Sequence, residues 1–218
     1  MTSSSILEAP RRPGRPRVIL HELELDALTE VFWRKGYAGT GIDDLVAATG
    51  ASRATLYQLY GDKRAMLAAA LDHYAGRFAR RVDAVLADQD TPTRDALAVV
   101  LGASADRLTG GLAPDGCLRC NSTLELAGRG DPVIDAALAA TNAAFEAQMA
   151  RLVARSVSRG EVAADAAGPL AVFLTVVVNG MVTLVRAGAN RQTLSSVIDT
   201  ALAQVGSSLS ASSSARHS

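Results

Sequence analysis

Apolar residues recur along this chain at helical spacing. Leu25, Leu28 and Phe32 stand at i, i+3 and i+7, with Ala27 and Val31 widening the stripe, and predict a helix over about His21 to Lys35. Gly36 ends it, and Tyr37 is placed to pack back on the last turn. Ile42, Leu45 and Val46 give a second, short apolar face. Thr40 reads as its N-cap, with Asp43 three residues on completing a Thr-x-x-Asp capping box, and Gly50 as its left-handed close. Ser52 caps a third helix, in which Leu56 and Leu59 face inward and Arg53, Thr55, Tyr57 and Gln58 face out. Gly61 ends it, and Asp62 caps a fourth.

That fourth helix runs from near Lys63 to about Asp88, on the order of 40 Å at 1.5 Å per residue. Thr91-Pro92 is a cap followed by a first-turn proline and opens a helix ending near Thr109-Gly110-Gly111. A Leu-Ala-Pro-Asp-Gly loop leads to a short helix that closes at Gly128 or Gly130. Asp131-Pro132 starts a long helix reaching about Arg159-Gly160, with Ile134, Leu138, Phe145, Met149, Leu152 and Val153 inward. Arg151, Arg155 and Arg159 share one face of it, read as solvated. Two more helices span about Asp165 to Ala187 and about Gln192 to Leu209. The whole is an all-α chain. Residues 1–20 form a disordered basic arm, 21–66 a three-helix head, 67–209 a larger helical unit, and 210–218 a disordered tail.

Composition narrows this picture. Hydrophobic content is 49% but aromatics only 4%, so the core is built of Ala, Leu and Val, and few Gly or Pro breaks interrupt the runs. Net charge is zero, so any attraction to nucleic acid comes from local clustering. Ala166 to Val185 is a charge-free stretch of 20 residues, long enough to span a bilayer. Asn179, Thr175, Thr183 and two glycines lower its hydrophobicity, so it reads as a buried or dimer-interface helix, with no membrane partner. No secretory signal opens the chain, which with two cysteines implies a reducing cytoplasm and free thiols.

Helix, glycine turn, helix over residues 40–61 is the helix-turn-helix shape, whose second helix enters the DNA major groove. Arg53 can fork onto guanine and Gln58 onto adenine; Thr55 suits a thymine methyl or a phosphate. Thr40, Ser52, Tyr57, Tyr60 and Lys63 suit phosphates, although Tyr60 can equally be core and Ser52 only a cap. Ahead of the head, Arg11, Arg12, Arg15 and Arg17 lie among prolines that favour an extended backbone. Arg15 and Arg17 are the minor-groove candidates, against a bland solvated tail.

The same residues carry a resemblance. Phe32, Gly36, Tyr37, Thr40, Leu45, Val46, Gly50, Ala51, Ser52, Thr55, Leu56, Tyr57, Tyr60, Lys63 and Leu67 fall where the tetracycline-repressor (TetR/AcrR) family has its DNA-binding pattern. Leu59 and Tyr60 depart from it, standing where the family has His, Tyr or Phe and then Phe. Asp115-Gly116-Cys117-Leu118 with Asn121 and Glu125, and the stretch from Asn179 to Leu194, resemble the family's second half more loosely. The resemblance implies a C-terminal ligand-binding and dimerisation domain joined to the head by the long fourth helix. It also implies a homodimer through helices of about 165–187 and 192–208, double-stranded operator DNA as partner, and a small-molecule effector. The effector cavity would be lined by Tyr74, Phe78, Leu101, Cys117, Cys120, Asn121, Phe145, Met149, Phe173 and Val177, each of which can also be plain core.

Cys117 and Cys120 form a Cys-x-x-Cys that reads as buried structural thiols or as a redox or electrophile sensor. Metal would want more His and Cys than His21, His73 and His217 supply, so neither metal nor cofactor is expected. No Gly-x-Ser-x-Gly, phosphate loop or paired catalytic carboxylates mark an enzyme. The sequence therefore reads as a homodimeric repressor released by a small molecule, the alternative being a regulator switched through Cys117 and Cys120.

Overall fold

The apolar stripes become nine α-helices among the described residues, and no strand occurs there. The computed structural model describes the backbone over residues 17–111 and 116–214, and side chains over 21–111 and 116–205. The helices are α1 (Arg17–Lys35), α2 (Ile42–Thr49), α3 (Arg53–Tyr60), α4 (Lys63–Ala87) and α5 (Thr93–Thr109). They continue with α6 (Leu118–Leu126), α7 (Pro132–Ser158), α8 (Ala167–Arg186) and α9 (Arg191–Ser214). A single 3-10 turn, Ala164–Ala166, leads into α8.

Several ends differ from the sequence reading. α1 begins at Arg17 rather than His21, because nothing after Pro16 breaks a helix; Arg17 thus belongs to α1, not to an extended arm. Arg15 lies outside the described residues. α9 runs past Leu209 to Ser214, since no proline follows to stop it. The cap of α2 is Gly41, not Thr40, and the acid that answers it is Asp44, whose Oδ2 accepts the Gly41 N–H at 2.8 Å. Thr40 is buried and its hydroxyl donates to the Gly36 carbonyl at 2.6 Å. Ser52 and Asp62 cap α3 and α4 as read, accepting from Thr55 N (3.1 Å) and Ala65 N (3.0 Å). Gly50 takes φ 71° and returns its N–H to Val46 O, which lets α3 start three residues later.

Two apolar cores follow. One gathers Leu28, Phe32 and Trp33 of α1, Leu45 of α2, Leu56 of α3 and Met66 to Tyr74 of α4. It continues into Cys117, the N-cap of α6, Leu118 and Leu126 of α6, and Ile134 and Leu138 of α7. The other joins Val82 of α4, Leu97 and Leu101 of α5, Met149 and Leu152 of α7, Leu174 and Met181 of α8, and Leu194 and Leu202 of α9. Of the arginine row at the end of α7, Arg151 and Arg159 are exposed as read, and Arg155 is not. Arg155 is buried and donates to Val85 O (3.2 Å), Asp88 O (2.6 Å) and Thr91 O (2.5 Å), stapling the turn between α4 and α5. Arg151 pairs with Asp83, and Arg159 reaches Gln89 O and Glu161.

α8 is long and apolar enough to cross a membrane by composition. Its inner face, Leu170, Leu174, Val178 and Met181, belongs to the second core, while Val172, Val176 and Leu184 are exposed.

Candidate nucleic-acid interface and cavity

Only Leu56 of α3 is fully buried, so the eight-residue helix shows most of its length to solvent. Arg53, Ala54, Thr55, Tyr57, Gln58 and Leu59 are all exposed. Leu59 is 51% exposed rather than inward. At 100° per residue Tyr60 is closer to the direction of Leu56 than Leu59 is, and it takes the inner position instead. Tyr60 is half-buried and stacks on His21 of α1, ring centroids 6.2 Å apart; burial, then the nearby Glu24, raises its hydroxyl above the usual phenol range.

The cations of the head are loosely engaged. Arg53 meets Asp43 of α2 at 2.5 Å, both side chains mostly exposed, so a phosphate or base can replace that carboxylate at little cost. Lys63, the first residue of α4, lies over the Tyr37 ring at 4.4 Å. Ser52 is exposed but its Oγ is shared between the Thr55 N–H and hydroxyl. Of the ten expected DNA contacts, Ser52, Arg53, Thr55, Tyr57 and Gln58 are exposed, Tyr60 and Lys63 are half-buried, and Thr40 is buried.

A cavity of about 290 Å³ opens between α4, α5, α6, α7 and α8. Tyr74, Phe78, Cys117 and Phe145 line it as expected, with Phe78 and Phe145 tilted against each other at 4.9 Å. The other six expected residues do not line it. Leu101 and Met149 are fully buried in the second core, Val177 packs against that core, and Phe173 is 38% exposed. Cys120 turns its thiol to Asn179 Oδ1 at 3.5 Å, and Asn121 accepts from Arg186 at 3.0 Å. In their place stand Arg81, Arg107, Arg119, Ser104, Thr141 and Gln148. One signal could have found the arginines: Arg81, Arg107 and Arg119 have no acid three or four residues away within their own helices.

Polar groups at one end form a relay. Arg107 donates to the Tyr74 hydroxyl, which donates to Cys117 Sγ at 3.2 Å. The Cys120 thiol beside it, with Arg119 and Tyr74, draws the Cys117 thiol well below its ordinary range, against the opposing cost of burial. Burial and the neighbouring Cys117 push the Tyr74 hydroxyl up. Arg119 is only 5% exposed; it donates to Asn142 Oδ1 (2.7 Å) and Asn179 Oδ1 (2.6 Å) and lies 4.1 Å over Phe145. Among the described residues no group of three or more His, Cys, Asp or Glu could hold a metal.

The short helix α6 joins cavity and head. Arg119 in its first turn lines the cavity beside Cys117, while Glu125 near its end takes the Tyr37 N–H (3.0 Å) and Ala38 N–H (2.8 Å) of the turn between α1 and α2. Gly36 makes room: it sits at φ 69°, and a Cβ there would come within 2.7 Å of the Glu125 carboxylate.

Comparison with known proteins agrees with both halves. Residues 25–70 match the family model of bacterial regulatory proteins, tetR family, and residues 93–201 match the tetracyclin repressor-like C-terminal domain. The HTH-type transcriptional repressor ComR of Escherichia coli K12 is 30% identical over 203 residues, covering 93% of this chain and 96% of that protein. The HTH-type transcriptional repressor BdcR of the same organism is 31% identical over 110 residues, 50% of this chain and 54% of its own. A cysteine-substituted TetR family transcriptional regulator CifR, solved with double-stranded operator DNA, superposes with a TM-score of 0.71 at 27% identity. The match covers 89% of this chain and 98% of that one.

Proposed function

Because the chain belongs to the TetR family of bacterial transcriptional regulators, we propose that it is a homodimeric repressor which a small molecule in the cavity releases from its operator. Residues 21–66 serve as the reading head and 67–209 as the sensing and dimerising half, working in the cytoplasm. Arg53 and Gln58 read bases, Thr55 meets a thymine methyl or phosphate, and Ser52, Tyr57 and Lys63 hold phosphates. Leu59, exposed beside them, adds an apolar contact for a thymine methyl.

The observation that carries this reading is α6. One nine-residue helix touches the cavity at its start and grips the head's first turn near its end. A ligand that shifts Arg119 shifts Glu125, and with it the tilt of α1 to α3. The ligand lowers DNA affinity only by its preference for the shifted state. Support for the dimer comes from α8, whose outward Val172, Val176 and Leu184 form an apolar strip that a twofold partner would cover. Such a pair would offer two copies of α3 to major grooves roughly 34 Å apart.

Fluorescence anisotropy on labelled DNA from upstream of the protein's own gene tests the reading. Tight, salt-sensitive binding that a metabolite extract weakens is the expected result. Binding that no extract weakens, in any redox state, would refute release by an effector.

A second reading has its own observation: Cys117 lines the cavity with a thiol drawn toward thiolate. If oxidation or alkylation there is the signal, DNA is released by oxidant alone, and Cys117→Ser abolishes that response while leaving metabolite release intact.

A further inference from the structure

We propose that the cavity takes an organic anion, a small carboxylate held at its charged end by Arg81, Arg107 and Arg119 while its apolar body lies on Phe78 and Phe145. This rests on the reading of the cavity as the effector site.

Three guanidinium groups face one partly open cavity, and none is in an ion pair among the described residues. Among the described residues, the ion pairs of this chain involve Arg34, Lys35, Arg53, Arg64, Arg77, Arg151, Arg159, Arg191 and the histidines His21 and His73, and none of the three. Arg119 is satisfied by two amide oxygens, and Arg107 by a phenol and the faces of Trp33 (4.6 Å) and Tyr74 (4.9 Å). Arginine stays charged in proteins, so it cannot relieve this by losing its proton. Acids are scarce at the wall: among the described residues Asp72 is the only carboxylate in the lining, and the fourth arginine there, Arg77, is already paired with Asp26 at 3.2 Å. Crowding is felt at Arg81, whose guanidinium is drawn below its ordinary range by burial and then by Arg107 and Arg77.

Arg119 is buried and Arg81 and Arg107 are half-buried, so these three guanidinium groups outnumber the lowered Cys117 thiol beside them, and an entering carboxylate supplies the missing counter-charge while forming forked, charge-assisted bonds. A cation would add to the repulsion, and a neutral ligand would leave it in place. The rest of the lining fits the other end of such a molecule, with Phe78, Phe145, Val178 and Val182 around it. About 290 Å³ lies at the small end of ligand pockets, which suits a short acyl or aryl acid rather than a lipid. Arg107 also ties the site to the head, because the ring it covers belongs to Trp33 of α1.

Trp33 is the only tryptophan, so its emission reports Arg107 directly. The full chain would be titrated with alkyl and aryl carboxylates up to the size of phenylpropanoate, and with the primary amide and primary amine of each. Emission and melting temperature would be followed. Carboxylates are expected to bind at least about tenfold tighter than their amides, with amines weakest, and to release labelled operator DNA. Arg119→Gln should remove that preference. Should this buried variant fail to fold, Arg81→Gln, at a half-exposed position, reads the same quantity. Amides or amines binding as well as the acids, or a preference that survives both variants, would overturn the proposal. If a neutral or cationic compound releases DNA, the effector reading stands and the anion falls; if nothing of any charge binds or releases DNA, both fall.

Discussion

The proposed reading surface lies on the exposed residues of the eight-residue α3, whereas the cavity is assembled from α4, α5, α6, α7 and α8. Their charges are managed differently too. In the head, Arg53 leans on Asp43 and Lys35 on Asp44, exposed pairs that a phosphate can replace. In the cavity, Arg107 and Arg119 hydrogen-bond to a phenol and to two amide oxygens, Arg119 buried and Arg107 half-buried. Arg53 and Lys35 of the head are thus paired with acids, while Arg81, Arg107 and Arg119 of the cavity outnumber the acidic groups beside them. The first arrangement suits reversible contact with a polyanion, and the second makes a small anion's binding energy large.

The sharpest way to break the comparison is to disable one surface alone. Arg53→Ala with Gln58→Ala removes two candidate base contacts worth roughly 1–3 kcal/mol each, so operator affinity should fall about a hundredfold or more. Melting temperature and cavity binding should stay put, because neither side chain is in a core. Anisotropy and thermal denaturation decide it; unchanged operator affinity would mean that α3 is not the reader.

The sensing half should break the other way. Arg155→Ala strips three backbone carbonyls of their donor at the turn between α4 and α5. The expected loss is about 2–4 kcal/mol of stability in urea denaturation, with α3 unaltered. A loss below half a kcal/mol would show that water replaces the guanidinium freely.

Arg155 also shows where the sequence stops being legible. Its spacing with Arg151 and Arg159 put it on a polar face, but its acceptors lie 64 to 70 residues earlier, beyond the reach of any helical period. The head is the opposite case. Ser52, Gly50, Leu56, Asp62 and the outward set on α3 were readable because caps and faces depend on neighbours within four residues. Even there, Thr40 lost the cap to Gly41, because the Gly36 carbonyl offered its hydroxyl a better use. Leu59, read as inward, is exposed, and Tyr60, left open between core and phosphate, takes the inner position because it lies closer to the direction of Leu56. In the cavity, aromatic residues were foreseen and arginines were not. Burial of Phe78 or Phe145 follows from hydrophobicity, while burial of Arg119 depends on Asn142 and Asn179 arriving from two other helices.

The joint between the regions is the next test. Glu125→Gln keeps the shape but weakens the two bonds to the turn after α1, at an expected cost of about 1–2 kcal/mol in stability. Its informative effect is on coupling. Operator binding should persist while release by a cavity ligand weakens. Release of wild-type size would show that the signal travels through α4 alone.

The smallest effect belongs to the head's own electrostatics. Lys35, and then the Gly41 N–H, hold the Asp44 carboxyl below its ordinary range. A carboxyl depressed on folding stabilises above its unfolded value, about 3.9, and that contribution is lost as the pH falls through the lower folded value. Asp44→Asn should therefore lower stability slightly at neutral pH, and the gap from the parent should close in acid. Because the pair is solvent-exposed, salt should narrow the gap as well. A gap that widened in acid would mean that Asp44 works through packing and not charge. The entry to α2 would then be held like the sensing half, by fixed contacts, and not by the exchangeable charges that the rest of the head uses.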